Sequence, residues 1–90
     1  MKRYYVIFTG MVQGVGFRWT ILMLARKYNF TGWVRNMDNG NVEIEVQGHN
    51  LNIAVFIVEV IKGARYARIE DYSIKEIPVR ELEYGFDVKG

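Results

Sequence analysis

Apolar and polar positions recur along this chain with two different periods, and each change of period marks an element. Val6, Ile7 and Phe8 sit inside Arg3 to Thr9 as a β-branched and aromatic run, which predicts a central strand. Glycines end it. From Phe17 the apolar positions 17, 21, 24, 25 and 28 follow one helical face and predict a helix over 17–28. Gly32 to Asn36 reads as a short strand, Asp38-Asn39-Gly40 as a turn, and Asn41 to Gln47 as the return strand of a hairpin. In that return strand Val42, Ile44 and Val46 alternate with Glu43, Glu45 and Gln47, which predicts one core face and one wet face.

Asn50 and Gly63 bracket a second helix over 51–62, with Asn50 as its N-cap. Ile53, Val55, Ile57, Val58, Val60 and Ile61 are β-branched, so propensity alone permits a strand there. The length of the segment without a turn signal decides for helix. Ala67 to Ile77 reads as a longer strand closed by Pro78, and Gly85 to Lys89 as a short last one. The order is β-α-β-β-α-β plus a short terminal strand. It predicts an α+β, ferredoxin-like open-faced sandwich: a mostly antiparallel sheet with two helices on one face, because βαβ crossovers are right-handed. Many unrelated functions share that architecture, so the order of elements names none of them.

Composition removes chemistry more than it adds any. The 90 residues contain no cysteine and one histidine, His49, so thiolate nucleophiles, disulfides and a His-based zinc site are not expected. One domain over 1–90 is the expectation, without linkers or repeats. The N-terminal residues are too short and too polar for a signal peptide. The longest apolar run, Ile53 to Val58, is far below the roughly 20 residues of a membrane span. A cytoplasmic protein with no membrane partner is expected. The net charge is +2, low for a polyanion binder, but it is unevenly spread: residues 1–40 carry +5 and residues 41–90 carry −3. An anion, if one is bound, belongs with the first half.

That half holds an unusual loop. Gly10-Met11-Val12-Gln13-Gly14-Val15-Gly16-Phe17-Arg18 joins the first strand to the first helix. Glycines at 14 and 16 permit positive φ, so that successive N–H groups can converge on one point, and the helix N-terminus adds partial positive charge. Arg18 can add a planar fork of donors to two phosphoryl oxygens. A tight turn with no ligand explains the glycines equally well. The common nucleotide loops do not fit: no Gly-Lys-Ser/Thr follows, and position 19 is Trp where a dinucleotide fingerprint needs Gly.

Gly10 to Arg18, followed by Gly32-Trp33-Val34-Arg35-Asn36 and then Asp38-Asn39-Gly40, closely resembles the acylphosphatase family over essentially the whole chain. The resemblance implies a small hydrolase that cleaves the carboxyl-phosphate anhydride of acyl phosphates, with inorganic phosphate as product and competing ligand. By the same resemblance Arg18 binds the phosphoryl group, and the backbone amides of Gln13, Gly14, Val15, Gly16, Phe17 and Arg18 complete the cradle. Asn36 is the second catalytic residue. Relatives often carry hydroxyl residues where this chain has Met37 and Asn41, so hydrogen bonds from those side chains are not expected here.

The chemistry implied is undemanding. An acyl phosphate expels a carboxylate whose conjugate acid has a pKa of about 4, so no general acid is needed. Positioning and charge stabilisation suffice for a loose phosphoryl transfer. No metal and no cofactor is called for, and a monomer is expected. Arg35 should face away from Asn36, Trp33 should be packed, and His49 should be solvated or structural. A carboxylate at Gly90 is a candidate partner for Arg18.

Two other readings compete. An RNA-binding module shares the element order, but its third strand needs exposed aromatics for stacking, and Glu43 and Glu45 on that strand would repel phosphate, so no nucleic acid is expected. Acylphosphatase-like domains also occur inside larger carbamoyl-transfer maturation proteins. The short length favours the free enzyme.

Overall fold

Every predicted element forms, with its ends shifted by a residue or two. The computed structural model describes all 90 residues, in the order β1 (Lys2–Met11), α1 (Phe17–Lys27), β2 (Thr31–Asn36), β3 (Val42–Gly48), α2 (Ile53–Gly63), β4 (Arg68–Ile77) and β5 (Phe86–Val88). Helix α2 starts later than its pattern predicts. Asn52, not Asn50, is the N-cap: it is extended at φ −96° and its side chain accepts a hydrogen bond from the Val55 N–H at 3.1 Å. Asn50 instead turns the chain at φ 56°. The β-branched residues of α2 do not make it a strand, because Phe56, Ile57 and Val60 share one helical face and are buried together.

The five strands form one sheet in the order β4-β1-β3-β2-β5. It is mostly antiparallel, as expected, with one parallel pair at its edge. β1 is antiparallel to β3 and β4, and β2 to β3, but β5 runs parallel to β2 from Gly32–Phe86 to Val34–Val88. The physical reason is the connection after β4. It carries the chain from one edge of the sheet to the other, so β5 must enter in the direction of β2.

Side-chain alternation then separates two faces. Val6 and Phe8 of β1, Val34 of β2, and Val42, Ile44 and Val46 of β3 point toward the helices and meet Phe17, Ile21, Leu22 and Ala25 of α1 and Phe56, Ile57 and Val60 of α2. The opposite face carries the charges, and it is not the wet face that the alternation predicts. Glu43 and Gln47 are buried, and Glu45 is half-buried. Cross-strand neighbours cover them. Arg35 is the register partner of Glu43 and donates to its Oε2 through Nε at 2.9 Å and Nη2 at 2.6 Å, while the Tyr5 hydroxyl donates to Oε1 at 2.6 Å. Burial and then this bond push the Tyr5 phenol up to about 12.

At the far end of the same face Arg3 is fully buried and still ionised. It donates to Glu45 at 2.8 Å, to Gln47 at 3.2 Å, and to both oxygens of Glu83 at 2.7 and 3.1 Å. Gln47 also accepts from the Arg80 N–H at 2.8 Å and donates to the Arg80 carbonyl at 2.9 Å. The segment between β4 and β5 is thereby tied across the sheet. For Arg3, burial alone would lower the pKa, but its bonds to Glu83 and Glu45 outweigh it and the net shift is upward.

Glu83 and Glu43 give this network a pH signature. Burial alone would raise both carboxyls, but the bonds from Arg3 to Glu83, and from Tyr5 and Arg35 to Glu43, hold both below the ordinary carboxylate range. The unfolded chain therefore binds more protons in acid, and the stability these groups add is present above the unfolded value of about 4.3 and lost as pH falls through the folded values. The urea midpoint is expected to be flat from about pH 7 to 5 and to drop below about pH 4, with a shallower drop in Glu83→Gln. An unchanged acid limb in Glu83→Gln counts against the assignment.

Candidate active site

Sheet order places the two predicted halves of the site at one end. β1 and β2 run in the same direction with β3 between them, so the loop after β1 and the last residue of β2, Asn36, reach the same edge. Alternation sets their side. Asn36 has the parity of Val34, so its side chain points to the helix face, where α1 begins; Arg35 points to the other.

The loop is a string of apolar pins separated by glycines. Val12 and Phe17 are buried, Val15 packs partly on the core, and Phe17 meets Phe8 edge-on at 5.1 Å. Gly14 and Gly16 between them are exposed and take φ 73° and 77°, which turns the backbone outward between pins. Gly16 is the N-cap of α1 and supplies no side chain, and no acid lies in the first turn. The consequence is electrostatic. The amides of Gln13 to Trp19 donate to no acceptor in the chain; the first amide bonded at this end is that of Thr20, to the Gly16 carbonyl at 3.1 Å. Such a row at a helix N-terminus is chemically able to receive an anion.

Arg18 stands in the first turn of α1, half-exposed, and borders a surface hollow of about 260 Å³ with Gly14, Gly16, Trp19 and Val88. It is unpaired. The arginine side-chain hydrogen bonds are made by Arg3, Arg26 and Arg35, and the ion pairs involve the same three arginines. A cation left free beside free amides is arranged for an external anion.

Asn36 is half-exposed, and its side-chain Oδ1 is buried with no hydrogen-bond partner. An unmet acceptor of this kind costs about 1–3 kcal/mol. Turning the amide about χ2 exchanges Oδ1 with Nδ2, so this side chain can present an acceptor or donors to the cradle. Gln13 links the two halves, a contact the sequence does not announce: its Nε2 donates to the carbonyls of Met37 and Asn41, both at 2.8 Å.

The remaining expectations divide. Trp33 is packed, with Arg35 at 5.5 Å and Lys89 at 4.5 Å over its ring. His49 is exposed. Gly90 does not pair with Arg18; it lies near Arg35, Asn36 and Met37. The objection to RNA binding stands on a wrong premise, because Glu43 and Glu45 are neutralised by Arg35 and Arg3 and are not displayed to solvent. No helix is long and apolar enough to cross a membrane.

Fold and site together define a small α+β sandwich whose first loop leaves unbonded backbone amides beside an unpaired arginine. Comparison with known proteins makes this specific. The Acylphosphatase family model matches residues 4–88. The acylphosphatase of Clostridium beijerinckii is 46% identical over 89 residues, covering 99% of each chain. The crystal structure of acylphosphatase from Bacillus subtilis superposes with a TM-score of 0.91 at 36% identity, covering 100% of both chains. The crystal structure of full-length HypF in its phosphate- and nucleotide-bound form matches at a TM-score of 0.87 and 32% identity, covering 99% of this chain but 12% of that one. The chain belongs to the acylphosphatase family, and is thereby a hydrolase acting on acyl phosphates.

Proposed function

We propose that this chain hydrolyses acyl phosphates by direct in-line attack of water, with the phosphoryl group held by Arg18 and the backbone amides of Gln13 to Arg18, and the water oriented by Asn36. One observation carries the reading: an unpaired arginine and a row of unbonded amides lie at the same end and on the same face of the sheet as an asparagine with an unmet acceptor. Water oxygen forms a bond to phosphorus as the bond from phosphorus to the acyl oxygen breaks. The carboxylate leaves with the electron pair, and the water's proton passes to solvent or phosphate. The Asn36 carbonyl accepts a hydrogen bond from the attacking water, since an amide orients water without deprotonating it at neutral pH. Arg18 and the amides stabilise the equatorial oxygens as charge builds on them.

The reading takes residues 1–90 as one such domain, a monomer acting in the cytoplasm on a small-molecule acyl phosphate, with inorganic phosphate as its product and competitor, and with no metal, cofactor, nucleic acid or membrane partner. Its support is the match over 4–88 and relatives covered over 99–100% of their length. Acetyl phosphate should be cleaved rapidly, with chelator present, and a phosphate monoester far more slowly. Metal dependence, or preference for the monoester, overturns the reading.

Asn36→Ala separates the roles. It is expected to lower kcat by about 10²- to 10³-fold, while the inhibition constant of inorganic phosphate moves by less than about threefold, because Asn36 touches the water and not the phosphate. A near-normal kcat removes Asn36 from the mechanism.

A further inference from the structure

The cradle follows β1 and Asn36 ends β2, two strands that do not touch. β1 and β2 are separated by β3, so their ends could shift against each other by bending of the sheet edge or of the β2–β3 turn. One side chain bridges the two directly. Gln13 Nε2 donates one hydrogen to the Met37 carbonyl and the other to the Asn41 carbonyl, each at 2.8 Å, while the Met37 N–H donates to the same Asn41 carbonyl at 2.8 Å. The carboxamide thus sits in the mouth of the turn that follows Asn36. The Met37 N–H bond orients the peptide joining Asn36 to Met37, and Gln13 holds the carbonyl on the other side of Met37.

We propose that Gln13 is a positioning residue for hydrolysis: its backbone belongs to the phosphate cradle, and its side chain sets the distance and orientation of Asn36 relative to that cradle. The inference rests on the water-orienting role of Asn36. Both acceptors are backbone carbonyls, so the clamp does not depend on the side chains at 37 and 41. Glutamine suits the task because a single nitrogen supplies two donors at the end of a chain two methylenes long. Glutamate, ionised, has no proton to donate and would face two carbonyl oxygens. Methionine keeps the length and bulk but donates nothing.

The test is a double-mutant cycle read in kcat and in inhibition by inorganic phosphate, with acetyl phosphate as substrate. Assays are run well below the lowest thermal midpoint of the set. Gln13→Met is expected to lower kcat by about tenfold to a hundredfold, with the phosphate inhibition constant changed by less than about threefold, because misplacing Asn36 affects the attack and not the binding. Gln13→Glu should lose at least as much. In an Asn36→Ala background Gln13→Met should cause no further loss, since nothing is left for it to position. The same fold-loss in both backgrounds, an unchanged kcat in both Gln13 variants, or a loss confined to phosphate affinity overturns the proposal. Asn36→Ala with near-normal kcat overturns instead the reading beneath it, and that single variant shows which has failed. If Gln13→Met does not fold, Gln13→Glu is carried through the same cycle.

Discussion

Alanine at position 18 is expected to reduce kcat/KM for an acyl phosphate by about a thousandfold or more and to abolish inhibition by inorganic phosphate, while the thermal midpoint shifts by no more than about 2 °C. The combination follows from how Arg18 is placed. It makes no hydrogen bond or ion pair in the chain, unlike Arg3, Arg26 and Arg35, so the fold loses only its aliphatic contacts when it goes. The anion loses far more. In the proposed site the backbone amides of Gln13 to Arg18 would bring partial charges to the phosphoryl group, and Arg18 the one full positive charge in the first turn of α1. Its planar fork matches two oxygens at once, which a point charge does not. Lysine at 18 is therefore expected to restore part of the phosphate affinity and to remain at least about tenfold below the parent in kcat/KM. The measurements are steady-state hydrolysis, phosphate competition and thermal unfolding on the same preparations. Retention of more than about a tenth of the activity in Arg18→Ala, or a collapse of its thermal midpoint, contradicts this account of the site.

Local pattern reached as far as local physics extends. Phe17, Ile21 and Ala25 lie on one helical face and are buried, and Val42, Ile44 and Val46 alternate into the same core. What failed depends on contacts between distant segments. Alternation told which side of β3 carries Glu43 and Glu45, but it could not tell that Arg35, Tyr5 and Arg3 cover them. Nor could any local pattern show that the connection leading into β5 is pinned by Glu83 to Arg3, residues 80 apart in sequence. Two asparagines stood before α2, and only backbone geometry separates the cap, Asn52, from the turn at Asn50. In the proposed site, the glycine loop was legible because the positive φ of Gly14 and Gly16 leaves a compositional mark, and Arg18 stands beside it. Asn36 was legible only through the family resemblance. The Gln13 side chain was not legible at all, because its acceptors are carbonyls that any residue at 37 or 41 would supply.

Gly32→Ala is expected to be the most destabilising single-atom change at the head of the Gly32-Trp33-Val34-Arg35-Asn36 segment. Gly32 pairs with Val46 on one side and Phe86 on the other, and its N–H donates to the Gly85 carbonyl at 3.0 Å. Its φ is 137°, and a Cβ there would stand 1.9 Å from the Glu45 carbonyl oxygen and 2.8 Å from the Glu45 carbonyl carbon. Both are backbone atoms of a central strand, so neither can swing aside as a side-chain tip would. Relief requires β2 to separate from β3, and the register that carries Asn36 to the site moves with it. Gly40 supplies the comparison. It has φ 94° with nothing within 4 Å of a Cβ, so Gly40→Ala carries only the conformational cost, about 1–3 kcal/mol. Gly32→Ala adds the collision and is expected to cost at least about 3 kcal/mol, roughly 12 °C or more in thermal midpoint for a domain of this size. Surviving folded Gly32→Ala protein should also lose kcat, because Asn36 lies four residues further along the displaced strand. Equal losses of stability in the two variants would show that φ, and not the approach of Glu45, is why glycine heads this segment.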